Sequence, residues 1–90
     1  MKYKLKITPK ADKDIQALKR SEPNAFKKLY TLLYELTEHP KTGTGKPEIL
    51  RKADGIYSRR ITQKHRLVYL IDDDFVIVLV ISAYGHYNDK

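Results

Sequence analysis

The chain is expected to fold as an α+β domain of order β-α-α-β-β-β, a curled, mostly antiparallel sheet with two helices packed on one face. Three observations support this. The first residues alternate basic and apolar side chains, the segment from Thr8 to Pro40 carries apolar residues at helical spacing, and the remainder reads as strands separated by turn residues.

In KYKLKI, Tyr3, Leu5 and Ile7 fall on one face and Lys2, Lys4 and Lys6 on the other, the pattern of a half-buried first strand. Thr8 and Pro9 then match an N-cap and a first helical position. Ala11, Ile15 and Leu18 follow at helical spacing, giving a short amphipathic helix to about Arg20. A second, longer helix begins near Pro23, its stripe made of Phe26, Leu29, Tyr30, Leu33 and Leu36, and ends before Pro40. PKTGTGKP is a loop. It is not a Walker A motif, because the glycine spacing differs and Pro47 stands after Lys46 where a Ser or Thr is required. Strands are expected near 48–50, 56–62, 66–72 and 75–84, with Asp72, Asp73 and Asp74 forming the last hairpin turn. The final strand is apolar on both faces, as a central strand would be.

Ninety residues suit one domain with one modest core, so any site must sit on its surface. No apolar run is long enough to span a bilayer, and the alternating N-terminus does not resemble a signal peptide, so a cytoplasmic location is expected. Cysteine is absent, and His39, His65 and His86 lack metal-motif spacing, so neither metal nor cofactor is expected. The net charge of +7, from 18 Lys and Arg against 11 acids, favours a polyanionic partner, nucleic acid first, although basic charge also serves plain solubility.

Helices on one face leave the other face of the sheet free for chemistry. Arg59, Arg60 and Arg66 cluster there, with Arg51, Lys52, Lys64 and His65 nearby in sequence. Alternation sends Arg59 and Arg60 to opposite faces, so only one of them can share a cleft with Arg66. Taken singly, each of these arginines also fits a solvated charge that discourages edge-to-edge aggregation. Glu48, a carboxylate in a basic neighbourhood, suits a salt bridge at least as well as a general base. His86 lies beyond the apolar strand between Gly85, which permits close approach of backbone or ligand, and Tyr87. Its imidazole can donate a proton to a leaving group, though a lone histidine is more often inert. His39, at a helix end before proline, simply complements the helix dipole. A carboxylate, an arginine and a His-Tyr pair meeting at one phosphate would match the needs of RNA cleavage through the 2′-hydroxyl: a base, a cation for the pentavalent phosphorus and an acid.

GKPEIL, YSRRITQKHRLVYLIDDD and the terminal GHY resemble the YoeB/Txe toxins of bacterial toxin–antitoxin modules, within the RelE superfamily. The resemblance runs from about Gly43 to Tyr87, and SRRI followed by HRLVY is its most specific part. It implies a RelE-like fold and a metal-independent mRNA interferase that enters the ribosomal A site and cuts the bound message. By motif position, Glu48 would be the general base, Arg66 the transition-state cation, His86 the general acid and Tyr87 the residue that orients substrate. Lys46, Arg59 and His65 would be supporting cations near RNA or ribosome. The family pairs with acidic antitoxins whose tails cover or distort the site, and many members form homodimers. The chain departs from the pattern at AYG, where many relatives carry an arginine and an aromatic residue, so one cationic RNA contact is either lost or replaced by Tyr84. It also continues past Tyr87 with Asn88, Asp89 and Lys90.

Two rival readings stand beside it. A basic RNA- or ribosome-binding module would have no cleavage to lose on His86→Ala. A gyrase-poisoning relative on the same scaffold generally lacks the Glu, Arg and His-Tyr set present here.

Overall fold

Thr8 makes the switch from strand β1 (Lys4–Ile7) to helix α1 (Pro9–Ser21) in the structure, a computed structural model that describes residues 2–75 and 77–85. Its backbone is extended, and its Oγ1 accepts the Ala11 N–H at 3.1 Å while donating to the Ile81 carbonyl at 3.1 Å. Pro9 takes the first helical position, where no N–H is needed. Only Glu22 separates α1 from helix α2 (Pro23–Glu38).

The two helices bury Ala11, Ile15 and Leu18 of α1 and Ala25, Leu29, Leu32, Leu33 and Leu36 of α2. Each such leucine contributes about 1.5–3 kcal/mol of burial free energy, which holds the helices to the sheet. One member of the expected stripe is corrected: Tyr30 is 69% exposed, and Leu32 occupies the core.

Strands β2 (Glu48–Arg51), β3 (Ile56–Arg60), β4 (Arg66–Asp72) and β5 (Ile77–Ser82) complete a five-stranded sheet in the order β1-β5-β4-β3-β2. β1 pairs with β5 in parallel and every other pairing is antiparallel, so the expected architecture is present. Short β2 extends the β-α-α-β-β-β order by one edge strand, and a single 3-10 turn at Lys52–Asp54 links it to β3. Leu67, Tyr69 and Ile71 of β4 and Val78 and Val80 of β5 face the helices within one core. Between β4 and β5, the Asp72 carboxylate accepts the N–H groups of Asp74 at 3.1 Å and Phe75 at 3.2 Å, the turn chemistry expected of the aspartate run.

A bulge in β5 decides which way the end of that strand faces. Val80 pairs with Tyr69, but Ser82 pairs with the adjacent Val68, leaving Ile81 as the extra residue. The offset reverses the parity of the strand, so that Ala83 returns to the core with no exposed surface. Among the described residues, no helix is long and apolar enough to cross a membrane.

Candidate active site on the second face of the sheet

The side of the sheet away from the helices brings three polar side chains together. Glu48 pairs with Ser58 across β2 and β3, and Ser58 pairs with Val68 across β3 and β4, so Glu48 and Ser58 share a face with Arg66, two residues from Val68. Ser58 is fully buried. Its Oγ accepts from Arg66 Nε at 3.1 Å and Nη2 at 3.0 Å, fixing the guanidinium. Arg66 Nη2 also donates to Glu48 Oε1 at 2.8 Å. The Glu48 side chain is 59% exposed and that of Arg66 only 14%, so the carboxylate is the solvent-side member of the pair. An ion pair so exposed contributes no more than about 1 kcal/mol, so an incoming anion can displace Glu48 from Arg66 at little cost. Arg60 stands directly opposite Arg66 in the register and is exposed. Two like charges at opposed positions disfavour the sheet, and an anion between them relieves the repulsion.

The expected supporting cation Arg59 is corrected by the structure. Strand alternation turns it to the helix side, where it has no exposed surface. Its Nε donates to the Tyr69 hydroxyl at 3.0 Å and its Nη1 to Glu35 Oε1 at 2.9 Å and the Thr44 carbonyl at 3.4 Å. Nη2 donates to the Thr42 carbonyl at 2.6 Å and to the His39 carbonyl. Arg59 is thus the hub around which the chain from His39 to Thr44 winds before it enters β2 and presents Glu48. Tyr69 adds a bond from its hydroxyl to the Pro40 carbonyl at 2.9 Å, and burial pushes its pKa above the ordinary phenol value. Burial alone would raise the Glu35 carboxyl, but the Thr44 hydroxyl and N–H and the Arg59 guanidinium more than offset it and hold its pKa below the ordinary carboxylate range.

Glycine is required in two places in this loop. Gly43 has φ +122°, and a Cβ there would lie 2.5 Å from Glu35 Oε1. Gly45 has φ +85°, and a Cβ there would lie 2.8 Å from the Arg60 carbonyl. Lys46 follows with φ 50°, a left-handed conformation that costs a non-glycine residue about 1–2 kcal/mol, and its side chain is exposed beside Glu48 in sequence.

His65, also expected to face RNA, is corrected likewise: it is only 3% exposed. It shares the parity of Leu67, Tyr69 and Ile71 and so points to the helix side. Its Nε2 lies 2.7 Å from Glu22 Oε2, and its Nδ1 accepts the Gly85 N–H at 2.8 Å. Tyr84 is 46% exposed, and its ring lies 4.4 Å from the imidazole, centroid to centroid, so it retains a surface for stacking. Gly85 has φ +76°, and a Cβ there would meet nothing within 4 Å. It is therefore suited to its position by backbone conformation, and its carbonyl accepts the Arg66 N–H at 2.9 Å. His86 and Tyr87 lie outside the described residues.

The structure therefore brings Glu48, Ser58, Arg60 and Arg66 to one face, puts Lys46 in the loop leading to it, and sends Arg59 and His65 elsewhere. Sequence reasoning missed Ser58 and, of the Arg59–Arg60 pair that alternation splits between the two faces, gave the RNA contact to Arg59 instead of Arg60. The signal was present: Tyr57, Arg59 and Ile61 alternate on one face, and the two apolar members mark it as the core side, leaving Ser58 and Arg60 on the other.

Comparison with known proteins identifies the family. Residues 7–87 match the model of the YoeB-like toxin of bacterial type II toxin–antitoxin systems. Toxin YoeB of Escherichia coli (strain K12) is 39% identical over 59 residues, covering 64% of this chain and 70% of the relative. A YoeB/ParE toxin structure from Agrobacterium tumefaciens has a TM-score of 0.84 at 33% identity, covering 93% of this chain and 99% of that one. YoeB of Staphylococcus aureus, 32% identical and covering 97% of this chain and 100% of that one, has been solved as a dimer, with a TM-score of 0.82, and in complex with YefM, with a TM-score of 0.76. The chain with this Glu48–Ser58–Arg66 cluster on a RelE-like sheet belongs to the YoeB-like toxins of bacterial type II toxin–antitoxin systems.

Proposed function

We propose that this toxin is a single-domain, ribosome-dependent mRNA endoribonuclease that cuts the message in the A site and so inhibits translation. The observation that carries the reading is the Arg66 guanidinium, pinned by Ser58 opposite a second exposed cation and only 2.8 Å from a solvent-facing carboxylate. In this scheme the scissile phosphate displaces Glu48 from Arg66. The freed carboxylate takes the proton of the neighbouring 2′-hydroxyl, and that oxygen attacks phosphorus. Arg66 stabilises the negative charge on the pentavalent phosphorus. The bond from phosphorus to the 5′-oxygen breaks as His86 donates its proton to the leaving oxygen, and Tyr87 orients the substrate. The products are a 2′,3′-cyclic phosphate and a 5′-hydroxyl, with no metal or cofactor in the scheme. Lys46, Arg60 and Tyr84 contribute RNA contacts.

The partners follow from charge and family. A chain of net charge +7 suits an acidic antitoxin as well as the ribosome and its message. The S. aureus structures support an antitoxin complex and a homodimer as assemblies available to this chain, and a ribosomal substrate implies action in the cytoplasm.

The test is cleavage of a defined message by purified protein, with and without programmed ribosomes carrying an empty A site, alongside Glu48→Ala and His86→Ala. Cleavage confined to the A-site codon and lost in both variants is expected. Tight ribosome binding without cleavage would instead make the chain a binding module.

A further inference from the structure

Glu22, His65 and Gly85, far apart in sequence, meet at one place, and the first two break a local preference there. Glu22 occupies the position before α2 that favours Ser, Thr, Asp or Asn, yet its side chain makes no capping bond to its own helix. The carboxylate reaches instead to His65 Nε2, 2.7 Å away. His65 is a polar side chain on the core face of β4, 3% exposed, with both ring nitrogens engaged. Gly85 takes a left-handed φ of +76° with open space around it. That conformation turns its N–H to His65 Nδ1 at 2.8 Å and its carbonyl to the Arg66 N–H at 2.9 Å. Just upstream, the Ala83 N–H is held by Asp14 Oδ2 at 3.0 Å, and the Tyr84 ring rests against the imidazole. Because Nδ1 accepts a hydrogen bond, the imidazole proton is on Nε2 and is donated to Glu22, so the ring has one orientation and one tautomer.

We propose that His65 is a positioning residue for proton donation: braced by Glu22, it fixes the backbone of Gly85 against Arg66, so that the chain beyond β5 departs from a set point beside the transition-state cation. The role rests on the proposed endoribonuclease function, in which residue 86 supplies the proton. His65 acts through Gly85 and does not touch substrate. A local rule broken at Glu22 and His65 in favour of a common tertiary contact is the pattern expected where function outranks local stability.

The experiment separates the two ring nitrogens. In His65→Asn the side-chain oxygen stands where Nδ1 was and can accept from Gly85; in His65→Gln the amide reaches Glu22 and leaves Gly85 without its acceptor. Glu22→Gln serves as a milder third variant should His65→Gln fold poorly. Hydrogen exchange of the Gly85 amide, read by NMR, reports the hold itself. Single-turnover cleavage on ribosomes, in otherwise wild-type protein and in His86→Ala, reports its consequence. His65→Gln is expected to speed Gly85 exchange by at least about tenfold. It should also slow cleavage about 10- to 100-fold with the half-saturating ribosome concentration unchanged. His65→Asn should keep most of both, and His65→Gln should change residual cleavage in His86→Ala by less than about twofold. Unchanged Gly85 exchange in His65→Gln, equal behaviour of Asn and Gln, or a loss of the same size in His86→Ala would each overturn the proposal. Wild-type protein that does not cleave would sink the endoribonuclease reading and the positioning role with it, and Gly85 exchange would then show whether the contact survives as architecture alone.

Discussion

Replacing Arg59 and Arg60 in turn should separate stability from activity along a single strand. Arg59→Met removes a fully buried cation whose guanidinium engages the Glu35 carboxylate, the Tyr69 hydroxyl and three backbone carbonyls. Deleting one partner of a buried, hydrogen-bonded ion pair costs about 3–5 kcal/mol, because the remaining acceptors lose their donors while still shielded from water. For a domain of 90 residues that loss lowers Tm by roughly 15–25 °C. Arg59→Lys should recover little, since an ammonium on a single stem cannot address acceptors spread from Tyr69 to Thr42. Arg60→Ala alters an exposed side chain and should leave stability within about 0.5 kcal/mol. It should nevertheless weaken cleavage, because it removes the cation opposite Arg66. Thermal and urea denaturation give the first quantity, and single-turnover cleavage well below both midpoints gives the second. Arg59→Met with an unchanged midpoint and abolished cleavage would refute the reasoning, because it would mean that Arg59 meets RNA and is not the hub of the loop.

Three further outcomes are expected from the same geometry. Glu48→Gln should lower single-turnover cleavage by about 10²- to 10⁴-fold by removing the proton acceptor, with stability changed by no more than about 1 kcal/mol because the pair with Arg66 is exposed; a large loss of stability with cleavage intact would make the pair structural. The Glu35 pKa lies below its ordinary value of 4.5 in the folded state, so its contribution is fully present above that value and is lost as pH falls through the lowered folded pKa. Denaturation followed from neutral to acid pH should therefore show a shallower acid slope in Glu35→Gln, and an unchanged slope would remove Glu35 from the account. Gly43→Ala, with φ +122° and a Cβ 2.5 Å from Glu35 Oε1, should destabilise by about 1–3 kcal/mol and reduce cleavage as well, since the same loop presents Glu48.

Periodicity and caps made most of the fold readable from sequence. Thr8 and Pro9 mark the start of α1, period-two alternation marks β1, and the aspartates mark the last turn, because each is a local signal whose physics does not depend on distant residues. Tyr30 was misplaced because helical spacing gives a stripe without saying how wide the covered part is, and in α2 the buried arc centres on Leu29, Leu32, Leu33 and Leu36. The site was half readable. Glu48 and Arg66 do meet, but basic residue type and the family resemblance put Arg59 and His65 beside them. Their acceptors come from Glu35, His39, Thr42 and Thr44 in one case and from Glu22 in the other. Sequence separation hides such partners, while the parity of the neighbouring Tyr57, Ile61, Leu67 and Tyr69 would have revealed which way both side chains turn.

The two faces of β3 show why a small sheet can hold a charged site without a large core. A cluster of cations facing solvent repels itself, so the strands that carry it need an anchor elsewhere. Arg59 supplies that anchor one residue from Ser58 and Arg60, and it secures through buried bonds the loop that delivers Glu48. The position of Glu48, the proposed base, thus depends on the stability hub, whereas the Arg66 guanidinium is held by Ser58. The base and the cation are consequently set by separate supports that converge on one face. A substitution at the hub should move Glu48 while leaving the Arg66–Ser58 contact in place, whereas a substitution at His65 should release Gly85 and leave both the loop around Arg59 and the Arg66–Ser58 contact intact. Measured together, the two losses should be close to additive in stability, since they share no partner.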